Sequence, residues 1–137
     1  MTECERIIKQ GILPETFFKE EELCGFLVTE KRKRLWAISI DLLLIFDNIC
    51  RKYNLNYFLS FGALLGAIRH HGIIPWDDDI DVCMPRYDYE KFLNIGKTEL
   101  RNPYFLQIPG EDNGYFFSYA KIRNSNTSGI SEPFMYA

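Results

Sequence analysis

The sequence predicts an α/β or α+β domain with helices packed on one side of a sheet. Three observations carry this expectation. A run of apolar residues at steps of three and four marks one long helix. Short aromatic or β-branched runs, bounded by turn residues, mark strands. Their order along the chain is helix, strand, short helix, acidic strand, helix, strand, strand.

The chain has 137 residues, a length that suits one domain and buries roughly two-thirds of its unfolded surface. Apolar residues make up 47% and charged residues 26%, which argues against disorder of the whole chain. A net charge of −3 argues against a nucleic-acid partner bound by bulk attraction, which needs a basic surface. A small phosphorylated ligand needs only a local basic site. Cys4, Cys24, Cys50 and Cys83 form no CxxC pair and read as free thiols in a reducing compartment. The N-terminus has no apolar signal core, and the apolar run Leu42 to Phe46 is far below the ~20 residues that span a bilayer. A cytoplasmic protein with no transmembrane segment is expected.

Residues 1–28 have weak periodicity, punctuated by Pro14 and Gly25, and read as an arm or short helices packed on the domain of residues 29–137. Thr29 or Glu30 to Tyr53 is the clearest helix. Leu35, Ile38, Leu42, Ile45 and Ile49 form its stripe, and Trp36, Leu43, Phe46 and Cys50 widen it. Its basic start, Lys31 to Arg34, reads as a solvated face. Asn54-Leu55-Asn56 is a turn, and Tyr57 to Phe61 a short buried strand ended by Gly62. Ala63 to Arg69 reads as a short helix, broken by His70-His71-Gly72. Ile80 to Met84 reads as a strand closed by Pro85, and Tyr87 to Leu100 as a helix. Tyr104 to Ile108 and Tyr115 to Ile122 are the last strand candidates.

The chemistry concentrates in the run Trp76-Asp77-Asp78-Asp79-Ile80-Asp81. On a strand, residues i and i+2 share a face, with Cα atoms ~6.5 Å apart. Asp79 and Asp81 would then present paired carboxylates, which repel unless a cation lies between them. Mg²⁺ or Mn²⁺ suits such a site, because Mg²⁺ takes a few carboxylates and completes its shell with water and phosphate oxygens. In phosphoryl transfer that metal neutralises developing charge. Asp77 and Asp78 could each be a third ligand, a supporting partner of the metal ligands, or a cap; supporting or capping roles are favoured. Gly62 lets the backbone approach a ligand closely, and the helix start at Ala63 offers N–H groups to phosphate. Gly66 reads as a small residue that permits close packing. Arg69 and Lys121 are candidate phosphate contacts. His70 and His71 read as surface or packing residues, and Cys83 as a core thiol.

The segment Tyr57 to Val82, with Ser60-Phe61-Gly62-Ala63-Leu64-Leu65-Gly66-Ala67-Ile68-Arg69 and Pro75-Trp76-Asp77-Asp78-Asp79-Ile80-Asp81 inside it, resembles the signature of the LicD family. Met84 to Tyr89 and Lys121 to Thr127 also fit, so the resemblance spans residues 30–130. LicD proteins are cholinephosphotransferases of bacterial surface glycans, lipopolysaccharide or teichoic acid, and are related to fukutin. The resemblance implies a nucleotidyltransferase-like fold with a mixed sheet. It implies transfer of a phospho-alcohol, usually phosphocholine, from CDP-choline or another CDP-alcohol to a glycan acceptor. In that scheme Asp79 and Asp81 bind the metal and act in catalysis, and Gly62 lies against the phosphates. Family members often carry Thr where this chain has Ala63, so a hydroxyl contact to phosphate is absent.

Such folds usually place a third carboxylate on a later strand. After Asp112 this chain offers only Glu132, beside Pro133. The expectation is an N-terminal part of a longer enzyme, inactive as a fragment and prone to self-association. The rival expectations are a non-catalytic nucleotide- or metal-binding remnant or subunit, and a nucleotidyltransferase that transfers NMP.

Overall fold

A computed structural model describes residues 1–127. Glu132 lies outside the described residues. The fold is α+β, and the described residues form four α-helices and six short strands. The chain forms two compact units, Met1–Glu90 and Lys91–Ala137.

In the first unit, α1 (Glu3–Lys9) carries a reciprocal capping box between Thr2 and Glu5, which satisfies two otherwise orphaned donors. A 3₁₀ turn (Glu15–Phe18) and a hairpin of β1 (Glu21–Leu23) and β2 (Phe26–Val28) follow, the hairpin not having been expected from the sequence. Helix α2 (Glu30–Tyr53) is capped at both ends. Thr29 Oγ1 accepts from the Arg32 amide at 3.3 Å, and Asn54 takes the left-handed conformation that closes a helix C-terminus, at φ 52°. Its buried face is Lys33, Trp36, Ala37, Asp41, Phe46, Ile49 and Cys50, whereas Leu35 of the expected stripe is 41% exposed. The helix is apolar on more than one side, so its neighbours choose the buried face. Helix α1 packs on it, and Arg6 Nη2 reaches the buried Asp41 at 2.6 Å. Burial pushes the Cys50 thiol up to about 12, consistent with an inert core thiol.

Strand β3 (Phe58–Leu59) pairs antiparallel with β4 (Val82–Cys83). Both are shorter than the apolar runs predicted. Helix α3 (Phe61–Arg69) lies between them in the chain and starts two residues earlier than expected. Its apolar residues Phe61, Leu64, Leu65 and Ile68 remain exposed along one stripe. Helix α4 (Arg86–Glu99) begins in the first unit. There Asp88 is buried and accepts from the backbone and side-chain nitrogens of Asn56, at 3.2 and 3.1 Å.

In the second unit, β5 (Tyr104–Gln107) pairs antiparallel with β6 (Lys121–Asn124). The aromatic run from Tyr115 was expected to be strand. It instead turns on itself, with Gly114 at φ 78° and the Tyr115 hydroxyl donating to the Tyr119 carbonyl at 2.7 Å. Among the described residues every sheet has two antiparallel strands, so the expected mixed sheet is not formed there. No helix of the described residues is long and apolar enough to cross a membrane.

Among the described glycines, Gly66 meets the tightest constraint from backbone. A Cβ there would stand 2.5 Å from the Gly72 carbonyl oxygen and 3.2 Å from the Ile74 nitrogen. Both obstacles are backbone. At Gly96 the nearest atom is a flexible Leu106 methyl at 3.1 Å. Gly66→Ala is therefore expected to destabilise by about 1–3 kcal/mol, as overpacking does, and Gly96→Ala by less. Urea denaturation of the two variants checks the order.

Candidate functional site

The acidic run follows a fixed turn. Pro75 is fully buried, and the Asp77 amide donates to the Ile74 carbonyl at 2.9 Å. One side chain of this run turns back on the chain itself: Asp77 Oδ1 accepts from the Asp78 amide at 3.1 Å. The other Asp77 oxygen lies against Gly62, in the space a Cβ would fill. Gly62 is thus required for steric room, and the group it admits is a carboxylate of the chain's own.

Ligand oxygens of Asp77, Asp78 and Asp79 lie within 4.8 Å of one another. Asp78 and Asp79 are exposed and Asp77 is half-buried. An octahedral Mg²⁺ holds oxygens at about 2.1 Å, so its ligands stand roughly 3 to 4.2 Å apart. The three carboxylates approach that spacing to within a small side-chain adjustment, and they are the hard oxygen donors Mg²⁺ and Mn²⁺ prefer.

The structure places the sequence-predicted residues as follows. Asp79 joins Asp77 and Asp78 in the carboxylate group. Asp81 lies outside that group, half-buried, and its carbonyl accepts from the Ser60 amide at 3.0 Å. Neither Asp79 nor Asp81 is within β4, which begins at Val82, so the strand-face argument does not apply to them. Gly62 and Ala63 line one cavity of about 460 Å³ together with Asp77 and Asp79. Its remaining wall is mostly apolar, from Ile40 and Leu43 of α2 and from Leu59, Ile74 and Ile80. Arg69 is exposed, and its Nε donates to His70 Nδ1 at 3.3 Å. His70 in turn packs edge-on against Trp76, with centroids 5.8 Å apart. His71 lines the cavity. Lys121 belongs to the second unit, where its ammonium lies 4.1 Å from the Phe117 ring centre and 5.5 Å from that of Tyr119.

The basic start of α2 corrects the expectation of a solvated face. Lys33 is buried and pairs with Glu21. Arg32 Nη1 donates to the Asp77 carbonyl at 3.0 Å, and Trp36 Nε1 donates to the same oxygen at 2.9 Å. Only Lys31 and Arg34 are exposed. The partners of Arg32 and Trp36 are 45 and 41 residues away, so no local pattern signals them.

The family described as LicD/FKTN/FKRP, nucleotidyltransferase domain, matches residues 54–130. The chain is 41% identical over 70 residues to the lipopolysaccharide cholinephosphotransferase LicD of Haemophilus influenzae, covering 51% of this chain and 26% of that protein. It is 48% identical over 123 residues to the uncharacterized protein RT0683 of Rickettsia typhi, covering 85% of this chain and 36% of that protein. With the uncharacterized protein RP689 of Rickettsia prowazekii it shares 30% over 125 residues, 86% of this chain and 43% of that protein. The chain thus spans less than half the length of these curated relatives. No solved structure matches it significantly. The family match covers more than half of the chain, including α3, the acidic run and β6, and the chain belongs to the LicD/FKTN/FKRP nucleotidyltransferase-domain family.

Proposed function

We propose that this domain takes part in moving a phospho-alcohol, phosphocholine or a close analogue, from a CDP-alcohol to a surface-glycan acceptor, using Mg²⁺ or Mn²⁺. The observation that carries this reading is the shared cavity, where the start of α3 at Gly62 and Ala63 faces Asp77 and Asp79. A helix start leaves N–H groups without helical acceptors and favours anions. Clustered carboxylates favour a cation. One metal-bound diphosphate satisfies both, and the cavity volume of about 460 Å³ falls in the range of ligand sites. When bound, the metal would neutralise charge on the transferred phosphoryl group.

The chain's own residues have distinct parts in this scheme. Asp79 is the central ligand. Asp81 and Asp77, two residues to either side, are the candidates to share the cation with it. Asp77 also supplies a further carboxylate close to Asp79. Arg69, in the same compact unit as the cavity, is the proposed phosphate contact.

Mg²⁺ or Mn²⁺ is expected to raise the melting temperature, and Asp79→Asn to abolish the rise. Asp81→Asn and Asp77→Asn, made singly, identify the second ligand by which one also loses it; an undiminished response in all three variants would sink the assignment. Gly62→Ala pushes the Asp77 carboxylate away, so the metal-dependent shift should fall while the metal-free melting temperature stays within about 2 °C. Calorimetry with and without EDTA reads both. The transfer itself is checked by incubating the protein and its full-length relatives with CDP-choline, Mg²⁺ and lipopolysaccharide. CMP release with phosphocholine on the glycan is the expected result, whereas pyrophosphate release in a parallel incubation with CTP in place of CDP-choline would indicate NMP transfer instead.

A further inference from the structure

We infer that Arg32 and Trp36 are positioning residues, which hold the Asp77–Asp79 loop by its backbone so that its carboxylates converge. The inference rests on reading that loop as a cation site. Both side chains project from α2 four residues apart, a spacing that puts them on one helix face. Both donate to a single acceptor, the Asp77 carbonyl oxygen, at 3.0 and 2.9 Å. A carbonyl oxygen has two lone pairs, so this pair of donors saturates it.

The consequence passes through the peptide plane. A planar trans peptide points its N–H opposite to its C=O. Fixing the Asp77 carbonyl therefore aims the Asp78 N–H away from α2. That N–H is the donor to Asp77 Oδ1, at 3.1 Å. The hold on the backbone thus sets the Asp77 side chain, whose other oxygen fits against Gly62.

The donors are themselves held. Trp36 is 4% exposed. The Arg32 guanidinium lies 5.5 Å from the centre of the Phe26 ring, and Phe26 packs edge-on to Trp76 immediately before the acidic run. Arg32 could instead act only as a nearby positive charge that balances the aspartates. The two roles differ in sign. Loss of a bystander cation strengthens binding of Mn²⁺, because repulsion is removed. Loss of a positioning contact weakens it, as changes in groups that orient metal ligands commonly do, by about tenfold or more.

The test uses the whole chain, Mn²⁺ alone as probe, and the variants Arg32→Gln and Trp36→Phe. Trp36→Phe removes the N–H without changing charge, and Arg32→Gln alters a half-buried site at the start of the helix, so one remains informative if the other misfolds. Both are expected to bind Mn²⁺ about tenfold more weakly by electron paramagnetic resonance. In metal-free protein, amide exchange at Asp78 should accelerate at least tenfold in both, while amides near the C-terminus of α2 stay protected. Unchanged Asp78 exchange, or tighter Mn²⁺ binding by Arg32→Gln, overturns the inference. If the unaltered chain binds no Mn²⁺, the cation reading fails, and the metal-free exchange alone decides whether these residues position the loop.

Discussion

The constraint on which this site depends is the crowding of like charge. Three carboxylates stand with ligand oxygens within 4.8 Å of one another. Each pair at that distance repels by roughly 1 kcal/mol even with water-like screening. A chain relaxes such a cluster unless its backbone is fixed from outside. Here the fixing is dense. Pro75 is buried, the Asp77 amide is bonded to Ile74, and the Asp77 carbonyl takes two donors from α2. Gly62 completes it by leaving the space that an Asp77 carboxylate oxygen occupies.

The two glycines of α3 divide the work of placing this helix. Gly66 is met by backbone, at the Gly72 carbonyl and the Ile74 nitrogen. It brings α3 against the loop that leads to the acidic run. Gly62 is met by a side chain, the Asp77 carboxylate. The first glycine sets where the helix lies, and the second sets what its start can face. A negative group at a helix start is favoured by the exposed N–H groups there, so Asp77 occupies a place that an incoming phosphate would also suit. A cation bound by the same carboxylate would turn that competition into a shared site.

Much of this was legible from residues. The α2 pattern gave its bounds to within a residue, since Thr29 is a strong cap and Asn54 accepts a positive φ. The close packing at Gly66 followed from a small residue one turn into a short helix, whereas Gly62 was read for a ligand and faces the Asp77 carboxylate. The acidic run stood out by composition. What was not legible is tertiary. Arg32 and Lys33 look like part of a solvated basic run because their partners, Asp77 and Glu21, are far off in sequence. Asp77 reads locally as a supporting or capping residue, and its side chain does accept from the next amide; its contact with Gly62 is one that no short window contains. The Tyr115 to Ala120 run has strand composition, yet Gly114 and the Tyr115 hydroxyl turn it. High aromatic content measures fit to a half-buried pleated surface, not an intrinsic backbone choice.

The hold on the acidic loop also bears on where the functional unit begins. The residues matched by the family start at 54, which includes the carboxylates, Gly62 and all of α3. Both donors to the Asp77 carbonyl lie before that point, on α2. Cavity walls from Ile40 and Leu43 do as well. A piece cut at residue 54 would keep every candidate ligand and lose the groups that shape them. Asp77 would then keep its local bond to the Asp78 amide but not the carbonyl contacts that aim it. The helix that precedes the shared segment is therefore part of the site in physical terms, and Phe26 of the arm, through its contacts with Arg32 and Trp76, extends that dependence to the hairpin before it.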